Sequence, residues 1–329
     1  MKAKLTFLAA ILLGLAPVNL RAGAEAEESK TLTFPVSGAP EVIVSAGDAA
    51  VSVRGWDKQV VELRYSKQVR GPDDAEAKRQ LEAIEINARQ SGNTVNIEER
   101  ERTHVPWRNR HVRVELNLSV PRNSNLSART GDGAVALEDI QGTLAVHTGD
   151  GNVRAARLRG DIQLHSGDGK MDLEDLSGKL EARAGDGDIR GSQLVGNLTL
   201  HTGDGDIRLD AATGSATLST GDGNIEAGGQ FSGLRARTQD GRLTIHALGG
   251  KHLEEGMELE SGDGSIELKL PATLAATLSL STGDGHIETR LPLEILGTFS
   301  PHHVEGKING GGPTIRLRTG DGNIRIVGE

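Results

Sequence analysis

Cysteine is absent from the 329 residues. That excludes disulfides, thiolate metal sites, a cysteine nucleophile and a lipid-modified N-terminal cysteine, so stability has to come from packing and backbone pairing. Aromatic residues make up 2% of the chain, and Trp56, Tyr65 and Trp107 all precede its regular part. A base-stacking platform, or a sugar site floored by aromatic rings, is therefore not expected there. Positive charge is also short: 37 Lys and Arg stand against 46 Asp and Glu, a net charge of −9. Such a surface does not attract nucleic acid or anionic lipid. The apolar run at residues 5–18 falls short of the roughly 20 residues a membrane helix needs. With Lys2 and Lys4 before it and Ala22-Gly23-Ala24 after it, it reads as an export leader cleaved between Ala24 and Glu25. The mature chain is expected in the periplasm or at the cell surface of a bacterium, with no transmembrane segment.

What the chain has in abundance is glycine, 44 residues, much of it in one word. Gly131-Asp132-Gly133 recurs as Gly149-Asp150-Gly151, Gly167-Asp168-Gly169, Gly185-Asp186-Gly187, Gly203-Asp204-Gly205, Gly221-Asp222-Gly223 and Gln239-Asp240-Gly241, each 18 residues after the last. It returns at Gly262-Asp263-Gly264, Gly283-Asp284-Gly285 and Gly320-Asp321-Gly322 after gaps of 23, 21 and 37, which imply inserted loops. A fixed period in this range marks a stacked repeat protein.

Within each unit the apolar residues alternate, as in Leu198 and Leu200 before a word and Ile207 and Leu209 after it. Period two is strand periodicity with one face buried. A second turn, Leu158-Arg159-Gly160 and its equivalents at Gly178 and Gly196, separates two short strands per unit. No room is left for a crossover helix. The predicted fold is all-β, a parallel β-solenoid of about 18-residue coils; eleven coils at ~4.8 Å each would make a rod on the order of 50 Å long. An antiparallel meander with a hairpin at every word is the alternative.

Residues 25–125 are expected to form a β-rich capping region, and residues 126–329 the solenoid, whose end coils need cover. Ser45-Ala46-Gly47-Asp48-Ala49 looks like a worn form of the word. Pro72-Asp73-Asp74 opens a short helix with Ala77, Leu81 and Ile84 on one face. Residues 84–88 and 94–97 suggest a hairpin, and residues 111–121 a clean alternating strand.

The repeated Asp invites three readings. As a structural corner, Gly203 has φ > 0, Asp204 accepts backbone N–H bonds, and the Thr202 hydroxyl closes the turn from inside. A row of Arg129, His147, His165, Arg183, His201, Arg237 and Arg318, two residues before seven of the ten words, would offset the stacked negative charge. As a calcium column, the Asp residues would resemble nonapeptide solenoids, which also complete a coil in 18 residues, but the G-G-x-G-x-D run is missing. As an acid/base pair, Asp186 and Asp188 could serve a polysaccharide-acting enzyme. The expectation is the corner, with no metal or cofactor. A metal ladder through His147, His165 and His201 would be interrupted by Arg183, and His302-His303 stands alone. The basic segment 100–111 with Trp107 is a solvated loop or a binding edge.

The exported start, the alternating strand ending in Val120-Pro121, the serial TGDG words and the closing GGGPTIRLRTGDGNIRI resemble the bacterial "putative adhesin" family of β-strand-repeat proteins, a domain of unknown function. The resemblance covers nearly the whole mature chain. It implies a β-helical fold and a surface or adhesive role, and no catalytic residue. The expected function is that of an exported, non-enzymatic adhesin-like or scaffold protein whose partner is a protein or a surface glycan. The alternatives are a polysaccharide-acting β-helix enzyme and a filament that self-assembles through an open coil end after Glu329.

Overall fold

The computed structural model describes residues 24–101, 111–249, 253–296 and 300–329. They form two compact units that divide between Thr148 and Gly149. The expected leader, residues 1–24, lies outside the described residues except for Ala24, as does most of the basic segment with Trp107. The chain is all-β, with one helix among the described residues.

The first unit runs β1 (Glu25–Pro35), β2 (Glu41–Ser45), β3 (Ala50–Trp56), β4 (Val60–Arg70), α1 (Asp74–Ala83), β5 (Ile84–Ser91), β6 (Thr94–Glu101), β7 (His111–Pro121), β8 (Asn125–Thr130), β9 (Val135–Glu138) and β10 (Gln141–Thr148). β2 lies parallel between β6 and β8, and β3 parallel between β7 and β9. An early strand pair is thus inserted between two later ones. β8 pairs β10 parallel, with Leu126 opposite Leu144. Beyond β7, β4 and then β1 continue antiparallel, and β5 folds back on β6 as the expected hairpin.

Helix α1 forms where Pro72-Asp73-Asp74 predicts it, but it ends at Ala83, and Ile84, expected on its apolar face, takes extended backbone and opens β5. Asp73 caps it by accepting the Glu76 N–H at 2.8 Å, and Ala77 and Leu81 are buried. Its last turn is closed by a residue that periodicity did not single out. Lys67, buried on β4, donates to the carbonyl of Ile84 at 3.0 Å and pairs with Glu28 at 2.7 Å. The Tyr65 hydroxyl donates to the same carboxylate at 3.2 Å. Burial first, then the charge and hydrogen bond of Glu28, push the Tyr65 phenol up to about 12. An unfolded tyrosine ionises near 10, so between pH 10 and about 12 the unfolded chain gives up a proton that the folded chain keeps. Stability is expected to fall across that window. Tyr65 is the one tyrosine in the chain, so phenolate absorbance reads it alone. A midpoint near 10 in native protein would contradict this environment.

The second unit runs β11 (Val153–Ala156), β12 (Arg159–Ser166), β13 (Met171–Glu174), β14 (Ser177–Ala184), β15 (Ile189–Ser192), β16 (Val195–His201), β17 (Ile207–Ser219), β18 (Ile225–Thr238), β19 (Leu243–Ala247), β20 (Gly256–Ser261), β21 (Ile266–Leu270), β22 (Ala276–Thr282), β23 (Ile287–Thr289), β24 (Glu294–Ile295), β25 (His303–Ile308), β26 (Thr314–Thr319) and β27 (Ile324–Gly328). Repeats pair parallel and in register: Ile162 faces Leu180, which faces Leu198, and Met171 faces Ile189, which faces Ile207. Equivalent apolar side chains therefore stack, and these six are no more than 3% exposed. This pairing rules out the antiparallel meander for the repeats. The pairing is nonetheless mixed, because β25 runs antiparallel to β22 and to β24.

Repeat order in space departs from order in sequence at the end of this unit. β26 lies parallel between β20 and β22, and β27 parallel between β21 and β23. The Asp321 word sits between those of Asp263 and Asp284. The strand before Glu329 is therefore paired on both sides, and the open coil end expected there does not exist.

Candidate functional site

The repeated word is the one constellation that the sequence singles out, and in the second unit it forms a backbone column. The N–H of Gly185 donates to the carbonyl of Gly167, Gly203 to Gly185 and Gly221 to Gly203, each at 2.5 Å. Gln239 continues the column at 2.7 Å, and Gly320 and Gly283 extend it through Gly262 and Gly320, both at 2.6 Å. In the first unit Gly131 donates to Gly47 in the same way, which places the worn word directly beside the first full one.

Gly203 does not have the positive φ expected of it. The left-handed residues are at the second turn instead: Arg157, Asp175 and Gln193 have φ of 51–55°, and Gly160, Gly178 and Gly196 have φ of 120–127°. The word needs glycine for a different reason, the close approach of backbone to backbone. A Cβ on Gly203 would stand 2.6 Å from the Gly185 oxygen, and one on Gly205 would stand 2.6 Å from the Gly187 carbonyl carbon and closer still to its oxygen.

The Asp corners are exposed. From Asp150 to Asp204 the carboxylate lies over the first glycine of the next word: a Cβ on Gly167 would be 3.0 Å from Asp150 Oδ1, and one on Gly221 3.5 Å from Asp204 Oδ1. The expected counter-charges turn elsewhere, Arg183 to Glu181, Arg237 to Glu260 at 3.7 Å, and His201 Nδ1 to Ser219 Oγ at 2.7 Å. Among the described residues no three acidic or histidine side chains converge as an ion would require. Asp204→Asn should change stability by less than about 1 kcal/mol, measured by denaturant midpoint. A loss above about 3 kcal/mol would mean that the charge itself is needed.

The Thr or Ser hydroxyl before a word does close the turn from inside, and the word at Asp186, preceded by Ala184, lacks one. Thr202, fully buried, donates to the Gly187 carbonyl at 2.8 Å and lies 3.1 Å from that of Gly185. Thr220 and Thr238 repeat the contact one word on, and their oxygens also receive the N–H of their own Gly223 and Gly241 at 3.3 and 3.1 Å. Thr202→Val is expected to cost about 1–2 kcal/mol, because a buried carbonyl loses its donor. Thr202→Ser should be nearly neutral, since Ser166 and Ser261 make the same bond at 2.9 Å. Equal losses in both variants would count against the hydroxyl.

Sequence reasoning missed a second column, the residue after each word. Asn152 Oδ1 accepts the Lys170 N–H at 2.9 Å, Asp206 Oδ1 the Asn224 N–H at 2.7 Å, and Asn224 Oδ1 the Arg242 N–H at 3.0 Å. The available signal was the run of Asn and Asp at that position. Asp188 belongs to this ladder, accepting the Asp206 N–H at 3.3 Å. A hydrogen bond from Lys170 Nζ at 3.1 Å, helped by that N–H and by Arg190, holds its carboxyl below the usual range. Its stabilising effect is thus intact at neutral pH and lost only below roughly pH 4. An acid kept ionised at neutral pH is poorly suited to donate a proton.

Arg183 lies between His165 and His201 in register, as expected for an interrupted ladder. His302 has a structural place. Its Nδ1 is 3.1 Å from the Gly285 carbonyl, where a following repeat would have set its Thr or Ser hydroxyl. His303 sits in β25, 3.5 Å from Glu305.

A profile of one family, Toastrack DUF4097, matches residues 59–327. The chain belongs to that family. The resemblance read from the TGDG words is thereby borne out. A search of curated protein sequences finds no match. Among solved structures, this Toastrack chain is similar to a putative adhesin from Bacteroides fragilis NCTC 9343, at 15% identity and TM-score 0.34, over 92% of this chain and 97% of that one. It is also similar to a putative adhesin from Parabacteroides distasonis ATCC 8503, at 10% identity and TM-score 0.38, over 91% and 97%. A putative lipid binding protein from the same organism is similar at 12% identity and TM-score 0.36, over 91% and 96%. No helix among the described residues of the Toastrack chain is long and apolar enough to cross a membrane.

Proposed function

We propose that this Toastrack chain is an exported, non-enzymatic binding or scaffold protein of the bacterial cell envelope, a parallel β-solenoid of about 18-residue coils. In this reading the leader is removed between Ala24 and Glu25, residues 25–125 cap the coils, and the Gly-Asp-Gly words at residues 131–322 are structural corners. The observation that carries the reading is how the repeat spends its polar groups. Thr202 and the Asn224 column bond backbone, and outward charges pair sideways, as Arg208 with Glu226 at 3.4 Å and Arg235 with Glu258 at 3.0 Å. Such exposed pairs add little stability. They leave a regular polar surface on which recognition rests on many equivalent positions rather than on one reactive cluster.

The test is attachment. Cells lacking the protein should lose adhesion to protein-coated or glycan-coated surfaces, and the purified chain from residue 25 should bind the same surface and block wild-type cells. Unchanged adhesion together with no binding would sink the proposal. Release of reducing ends from a uronate polymer that is abolished by Asp186→Asn would replace it with an enzyme.

A further inference from the structure

The last strand pair of the second unit occupies a slot. β26 and β27 have strands on both sides, and Ile315, Leu317, Ile324 and Ile326 are fully buried there. Both walls of the slot come from residues 256–289, so the walls are continuous in sequence and their occupant is not. The occupant follows a hinge of unusual backbone: Asn309, Gly310 and Gly311 have φ of 52, 88 and 86°, and the Cα of Gly310 faces open space. The hinge carries the chain from β25 on one edge of β22 to β26 on the other. Only a tight, left-handed turn returns the segment to its own slot.

We propose that the slot also accepts residues 314–328 of a second copy of this chain, so that two copies pair by exchanging their last strand pairs. A second copy presents the same slot and the same segment, so exchange keeps every β26 and β27 contact and alters only the hinge, the condition under which swapping is a low-cost route to a dimer. The segment's register partners are repeats with the same word, Gly320 bonding Gly262 on one side and Gly283 on the other. The inference is independent of the adhesive reading.

The absence of cysteine makes the exchange directly readable. Ser279 and Arg316 are register partners, at a separation that a disulfide spans. One full-length sample without its leader carries Ser279→Cys and another Arg316→Cys; the two are mixed, incubated at high concentration and oxidised. Exchange predicts a mixed covalent dimer at least several-fold above that from a control mixture of Arg316→Cys and Glu226→Cys. Gly310→Val, which disfavours the left-handed hinge while meeting no neighbour, should raise the yield further. Mixed dimers no more abundant than the control, with the native hinge and with Gly310→Val alike, would overturn the proposal.

Discussion

Gly205→Ala is expected to destabilise the second unit by about 3 kcal/mol or more, the upper range for forcing extra volume into a packed site. The added methyl meets the Gly187 carbonyl, which is backbone. That backbone cannot step aside, because Gly185 and Ile189, which flank it in the chain, are held in the parallel ladder. Gly203→Ala should be milder, about 1–2 kcal/mol. The chain itself carries the precedent, since Gln239 occupies the first-glycine position and still donates to Gly221. No word after the first replaces its last glycine. Ala49 holds that position only in the worn word. Denaturant unfolding of both variants decides the order. Equal losses, or a larger loss at Gly203, would refute the close-approach account.

Deleting residues 314–329 should have the larger effect. Four side chains with no exposure leave the core, each worth on the order of 2 kcal/mol or more, and both walls of the slot lose their pairing. The second unit should then no longer unfold as one cooperative transition near the wild-type midpoint. The words of Asp263 and Asp284 are neighbours in sequence, and a chain that simply closed them together would show only a small loss. Calorimetry or circular dichroism melts of the shortened chain distinguish the two outcomes.

Much of this was legible in the residues. The alternation of Leu198, Leu200 and Thr202 with polar neighbours placed those side chains inside, and it placed the Thr hydroxyl at the turn. Asp73, Ala77 and Leu81 announced α1, because capping and helical spacing are local signals. The role of glycine in the word was not legible. A glycine required by positive φ and one required by a neighbouring carbonyl look alike in sequence, and only the structure shows that both reasons apply at Gly178 and Gly196 and the carbonyl alone at Gly203 and Gly205. Lys67 was hidden for a similar reason. Its partners Glu28 and Ile84 are distant in the chain, and nothing in an alternating strand marks one charged residue as the buried one.

By itself the sequence determined the strand pattern, the 18-residue period and the face of each strand that is buried, since all three are written in spacings of two and eighteen. Which repeat lies beside which was decided only by the tertiary structure. The words at Asp263, Asp284 and Asp321 offer one another nearly the same donors, acceptors and apolar side chains, so pairing energy alone hardly distinguishes their order. The antiparallel β25 takes the far edge of β22 and the left-handed turn at Gly310 and Gly311 sends the chain across, which leaves β26 and β27 the place between the two earlier repeats.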